Sequence, residues 1–186
     1  MERARNEQAC WFAARTHCGA ELCVRDRLGR LGTENFLPTG QFRHTRSRTS
    51  YEKPLIPGMI FVHTTKRQAC ALTNEMGLPV RYLIDPATRT LLVVPDKQLE
   101  DFRRVLDLSR EEGGLMDQPL ELGDYVRVTK GVLCGVEGRV LELRGQVYVV
   151  VELLGCFFAR ASVPRSWLER IERPRTVSGT FWQDFS

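Results

Sequence analysis

The chain has 186 residues, 42% hydrophobic and 27% charged, with a formal net charge of +4, the composition of an ordinary globular protein rather than of a disordered or fibrous one. No stretch approaches the ~20 apolar residues of a membrane span, and the polar opening MERARNEQACWF lacks the apolar core of a signal peptide, so a cytoplasmic protein with no membrane partner is expected. Lys and Arg outnumber Asp and Glu by 18 to 12 over residues 1–110 but trail by 9 to 11 over 111–186, which makes the first half the candidate for nucleic acid.

In chain order, residues 10–16 (CWFAART) read as a short apolar strand. A helix over 19–31 follows, with Ala20, Val24, Leu28 and Leu31 as its buried stripe, Glu21, Arg25, Arg27 and Arg30 outward, and Gly32 at its end. After a strand over 33–38, residues 39–53 (TGQFRHTRSRTSYEK) carry Arg43, Arg46, Arg48 and Lys53 with Phe42 and Tyr51. That composition predicts an exposed hairpin or arm suited to phosphate contact, with occasional base stacking.

The stretch that orders the chain is 53–63, KPLIPGMIFVH. Pro54 and Pro57 delay the strand, and Gly58 permits a turn. Met59 and Phe61 then alternate with Ile60 and Val62, so both faces are apolar and both need a cover. One is expected from the domain's own helices; the other is either a partner protein or more of the same domain. A second helix over 66–76 presents Ala69, Leu72 and Met76, strands at 80–84 and 91–94 flank the turn 85–88, and a third helix to 109 presents Leu99, Phe102 and Leu106. These elements predict an α+β domain of helices on an antiparallel sheet.

Residues 111–120 (EEGGLMDQPL) read as a linker. Beyond it, glycines punctuate short alternating strands at 125–129, 138–143, 146–153 and 156–161, the pattern of a small all-β barrel. Six cysteines occur without a CxxC pair and are expected to stay reduced. His17, Cys18 and Cys23 lie at spacings that spread around a helix, so no metal and no cofactor is expected. No phosphate-binding GxxxxGK[ST] loop or nucleophile with an obvious base is present, so the expectation is a protein that is not an enzyme.

Val126, Arg127 and Val128, then Gly131, Gly135, Gly138 and Val140, resemble a KOW motif. The glycines of such a loop supply positive φ or close backbone approach, and the valines face the core. Preceded by Trp11-Phe12, Gly19-x-Glu21 and Pro57-Gly58-x-x-Phe61-Val62, the motif is similar to that of NusG-type transcription elongation factors. The closing run Val163-Pro164-Arg165-Ser166-Trp167-Leu168 and the short arm resemble the RfaH-like and UpxY-like antiterminators. The resemblance implies an amino-terminal NusG domain at 9–110, a linker at 111–120, a KOW domain (an SH3-like barrel) at 121–172 and a tail at 173–186. It also implies a monomeric factor that suppresses pausing or termination on specific operons, such as those for surface polysaccharide.

Its partners by resemblance are RNA polymerase, gripped at the clamp helices of the largest subunit by Ile56, Pro57, Met59 and Phe61, and non-template DNA or nascent RNA. Arg25, Arg27, Arg43, Arg46 and Arg48 are the implied nucleic-acid contacts. A ribosomal protein or termination factor is the implied partner of the KOW domain. Met59 stands where the family has tyrosine, and Met76 where it has arginine. The run His63-Thr64-Thr65 matches an RfaH-like triplet in letters but not in place. The alternative reading is an RNA-binding KOW protein of ribosome assembly or translation.

Overall fold

The computed structural model describes residues 8–43, 49–108, 115–116 and 123–172. Arg46 and Arg48, most of the expected linker and the expected tail lie outside the described residues. The chain divides into two compact units between Asp96 and Lys97.

In the first unit, β1 (Cys10–Arg15), β2 (Asn35–Phe36), β5 (Met59–Thr64), β6 (Arg81–Tyr82) and β7 (Val93–Val94) form one antiparallel sheet, ordered β2-β5-β1-β6 with β7 also on β1. Helices α1 (Glu21–Arg30) and α2 (Lys66–Asn74) cover one face. β3 (Thr39–Arg43) and β4 (Ser50–Pro54) make a separate two-stranded ribbon, the hairpin expected of the basic stretch. Ala14, Ile60 and Val62 from the sheet meet Val24 and Leu28 of α1, Leu72 of α2, and Leu78 and Val80 in one buried cluster. Each Val, Leu or Ile side chain of the cluster stabilises the fold by about 1.5–3 kcal/mol.

Three details differ from the elements expected. Leu31 is 42% exposed and Met76 43% exposed, because α1 ends at Arg30 and α2 at Asn74, which puts both residues in the turns beyond. Glu21, expected outward, is buried. The stretches 80–84 and 91–94 meet as the expected hairpin at the Ile84–Leu91 bridge, with the Leu92 N–H donating to the Leu83 carbonyl at 2.8 Å, but both also pair with β1, through Tyr82 opposite Ala14 and Val94 opposite Trp11.

The second unit holds all but the first residue of α3 (Asp96–Leu108), together with six strands. These are β8 (Leu115–Met116), β9 (Tyr125–Val128), β10 (Glu137–Leu143), β11 (Gln146–Leu153), β12 (Phe157–Ser162) and β13 (Leu168–Arg170), in the antiparallel order β13-β9-β10-β11-β12-β8. Four match the strands expected from the sequence. β8 and β13 are too short for an alternating pattern, and β8 falls in the stretch read as linker. Helix α3 docks on this sheet through its polar side chains. Lys97 Nζ donates to the Gly135 carbonyl (2.8 Å), Gln98 to the Glu152 carbonyl (2.9 Å), and Arg104 to the carbonyls of Val132 (2.7 Å) and Cys134 (3.0 Å). The buried Asp101 carboxylate accepts the Glu137 N–H at 3.0 Å. The division falls after the first residue of α3.

Candidate functional site

Glu21 is the hub of the first unit. Its Oε1 accepts the Gly58 N–H at 2.7 Å and its Oε2 the Gly19 N–H at 2.6 Å. Gly58 has φ of 69°, and its carbonyl accepts the Thr16 N–H at 3.0 Å, so one carboxylate joins the end of β1, the start of α1 and the turn into β5. A β-carbon at Gly58 would lie 3.1 Å from the Thr16 oxygen, and only glycine combines this backbone with that approach. Burial by itself would raise the Glu21 pKa. The N–H donors of Gly58, Glu21 and Gly19 outweigh it and hold the group below the ordinary 4.5.

Glu21 therefore stabilises the unit fully above pH ~4.5, and that stability is lost as pH falls through the lower folded-state value. Removing the carboxylate in Glu21→Ala is expected to cost about 3 kcal/mol by orphaning two donors. Glu21→Gln keeps one acceptor and should lose both part of the stability and its acid dependence. Denaturant melts of the three proteins from pH 3 to 7 check this.

Glu21 aims β5, and β5 carries the residues implied to meet a polymerase. Ala13 pairs with Phe61 and Arg15 with Met59, so Trp11, Ala13, Met59 and Phe61 share the sheet face opposite α1 and α2, and Phe36 stacks on Phe61 at 6.0 Å. Ile60 and Val62 face the helices, as expected. The other face is not open. Ile56, Met59 and Phe61 are 4%, 2% and 0% exposed, and of the four implied contact residues only Pro57 is exposed. Of the two covers left open for this face, a partner or more of the same protein, the second is what is seen: a strand apolar on both sides is here buried on both.

His63 stacks on Trp11 at 5.0 Å and its Nδ1 lies 2.9 Å from Glu34 Oε2, while Thr65 caps α2 by accepting the Gln68 N–H. Two of the three residues in that run thus have local structural work.

The implied nucleic-acid contacts separate into two groups. Arg25 is committed to carboxylates, donating to Glu52 at 2.7 Å and Asp26 at 3.0 Å, and these partners, Glu52 foremost, raise its pKa. Arg27 donates to the Gly77 carbonyl at 3.1 Å and to that of Met76, closing the carboxyl end of α2. Both are joints between elements, an outcome invisible in a count of outward-facing arginines. Arg43, in the ribbon, is exposed. Glu52 Oε1 holds the ribbon to α1 through Arg25, a tie that nothing in the spacing of 27 residues announced.

In the second unit the glycines behave as the motif implied. Gly131 and Gly135 have φ of 77° and 87°, and Gly138 gives close approach, since a β-carbon there would lie 2.4 Å from the Val150 oxygen. Val126 and Val128 are buried and Val140 is half-buried. Arg127 is bound to Glu137 at 2.8 Å. Trp167 covers Gly131, and its carbonyl accepts both the N–H (2.7 Å) and the hydroxyl (2.9 Å) of Thr129. The closing run thereby locks onto the glycine loop. His17, Cys18 and Cys23 are exposed, and among the described residues no group of three or more His, Cys, Asp or Glu is placed to hold a metal.

The model of the family described as "Transcription termination factor nusG" matches residues 9–103, more than half the chain. The chain belongs to the NusG family. It is a NusG-type transcription elongation factor with an antiparallel-sheet amino-terminal domain followed by a KOW-like β domain. A solved structure titled "Domain interaction in Thermotoga maritima NusG" is 17% identical, with a TM-score of 0.47, over 89% of this chain and 98% of that one. The MjSpt4:Spt5 complex is 16% identical, with a TM-score of 0.29, over 88% and 99%. No curated protein matches. Among the described residues no helix is long and apolar enough to cross a membrane.

Proposed function

We propose that this NusG-family chain is a non-enzymatic elongation factor of the RfaH-like and UpxY-like kind, binding RNA polymerase through an amino-terminal domain at 9–110 and suppressing pausing or termination on specific operons. The KOW domain at 121–172 takes a second protein partner. The observation that supports this reading best is the NusG match over 9–103, inside which β5 offers an apolar face beside the exposed Pro57. With Met59 and Phe61 buried, engagement of the polymerase clamp helices through that face requires it to be uncovered on binding. The test is co-purification of the full chain with RNA polymerase from its host, followed by read-through at a terminator in a purified transcription reaction. Association with ribosomal subunits and no polymerase would favour ribosome assembly or translation instead.

The nucleic-acid contact in this reading is the basic stretch 39–53, with Arg43, Arg46 and Arg48, rather than α1. Their spacing of three and two in a polar arm suits phosphates, which need charge nearby and no fixed frame. Replacing all three by alanine should weaken binding alike across DNA sequences and lower the slope of log affinity against log salt by about 2–3 units. A salt titration of DNA binding reads this, and an unchanged slope removes the ribbon from the contact.

A further inference from the structure

We propose that one face of the β3–β4 ribbon is a stacking platform for an unpaired base of a single-stranded nucleic acid. The register places Phe42 opposite Tyr51 and Gly40 opposite Lys53, and alternation along each strand puts these four residues on one face. The two rings are 38% and 40% exposed, 6.0 Å apart and tilted by 34°. A β-carbon at Gly40 would lie 3.1 Å from Phe42 Cε2 and 3.0 Å from Leu55 Cδ2. The missing side chain is therefore what lets the Phe42 ring lie down against the ribbon. Lys53 Nζ stands over the Phe42 ring, 5.9 Å from its centre, within reach of the phosphate of a nucleotide stacked on the pair.

Charge selects the occupant. The acidic residue of the ribbon, Glu52, lies on the opposite face and is engaged by Arg25 at 2.7 Å. That ion pair fixes the ribbon to α1 and leaves the aromatic face flanked by cation. A protein partner seeking apolar surface gains little from two tilted rings under an ammonium group, whereas a polyanion with planar bases matches both features. Bases inside a duplex have both faces covered, so the platform suits a single strand.

This inference rests on the ribbon being the nucleic-acid contact, but its test separates the two. The full chain is titrated by fluorescence anisotropy with labelled oligothymidylate, with oligouridylate and with a DNA duplex of the same length. Phe42→Ala and Tyr51→Ala are each expected to weaken single-strand binding about tenfold with an unchanged salt slope, and to leave duplex binding and the circular dichroism spectrum as they were. Phe42→Trp, which restores a stacking surface, should recover the affinity, whereas Phe42→Leu should not. Equal losses on both oligonucleotides indicate recognition of the base alone, and a loss on one identifies DNA or RNA as the strand. Single-strand affinity unchanged in the double alanine variant, or no single-strand binding by the unaltered protein, overturns the platform. Neither result touches polymerase co-purification, which tests the elongation role separately.

Discussion

Phe61→Glu is expected to unfold the amino-terminal unit rather than to remove a contact from an intact surface. Phe61 has no exposed area, pairs with Ala13 and Phe36 across its two neighbouring strands and stacks on the Phe36 ring. A carboxylate at this position would meet apolar side chains and no donor. The cost of burying such a group is several kcal/mol, comparable with the total stability of about 5–15 kcal/mol of a small domain. Phe61→Ala, which only empties the site, should cost about 3–5 kcal/mol. Thermal melting of both variants beside the unaltered chain measures the difference. A Phe61→Glu protein that melts normally while losing polymerase would mean that this face is open in solution.

Gly138→Val should separate β10 from β11. The added β-carbon would lie 2.4 Å from the Val150 carbonyl oxygen and 3.0 Å from Val149 Cγ2. The oxygen belongs to the backbone of a neighbouring strand, so no side-chain rotation relieves the contact, and the strands themselves must part. Overpacking of about 1–3 kcal/mol is thus the least expected, with loss of ladder hydrogen bonds added to it. Amide exchange over β9 to β13 is the measurement, and fast exchange there is the predicted outcome. Gly145→Ala is the contrast. Nothing lies within 4 Å of its β-carbon, and its φ of 78° should cost only the left-handed strain of about 1–2 kcal/mol.

Much of this protein was legible before any coordinates. Short continuous apolar runs located β1 and β5, and alternation located the four longer strands of the second unit, because both patterns are local and survive any packing. The run Val126, Arg127, Val128 with Gly131, Gly135 and Gly138 was enough to say that its glycines supply an unusual backbone or close approach, and only the structure divided the two roles, positive φ at Gly131 and Gly135 and space at Gly138. The composition of 39–53 announced a basic hairpin or arm, and the pairing of β3 with β4 decided for the hairpin. What stayed hidden was pairing over distance. Glu21 looked like one more outward charge on α1, and only the fold brings Gly58, 37 residues away, to its carboxylate.

Arg25 and Arg27 likewise looked like a basic helix face until Glu52 and the end of α2 closed on them. The period of a strand cannot say how many of its faces are covered, so the burial of Met59 and Phe61 was decided by tertiary packing alone. Placement of α3 was decided the same way, by hydrogen bonds from Lys97 and Arg104 to carbonyls of the glycine loop and from Gln98 to a carbonyl of β11. Periodicity is a property of neighbours in sequence, whereas the partners of a buried charge and the cover of a second sheet face are properties of neighbours in space.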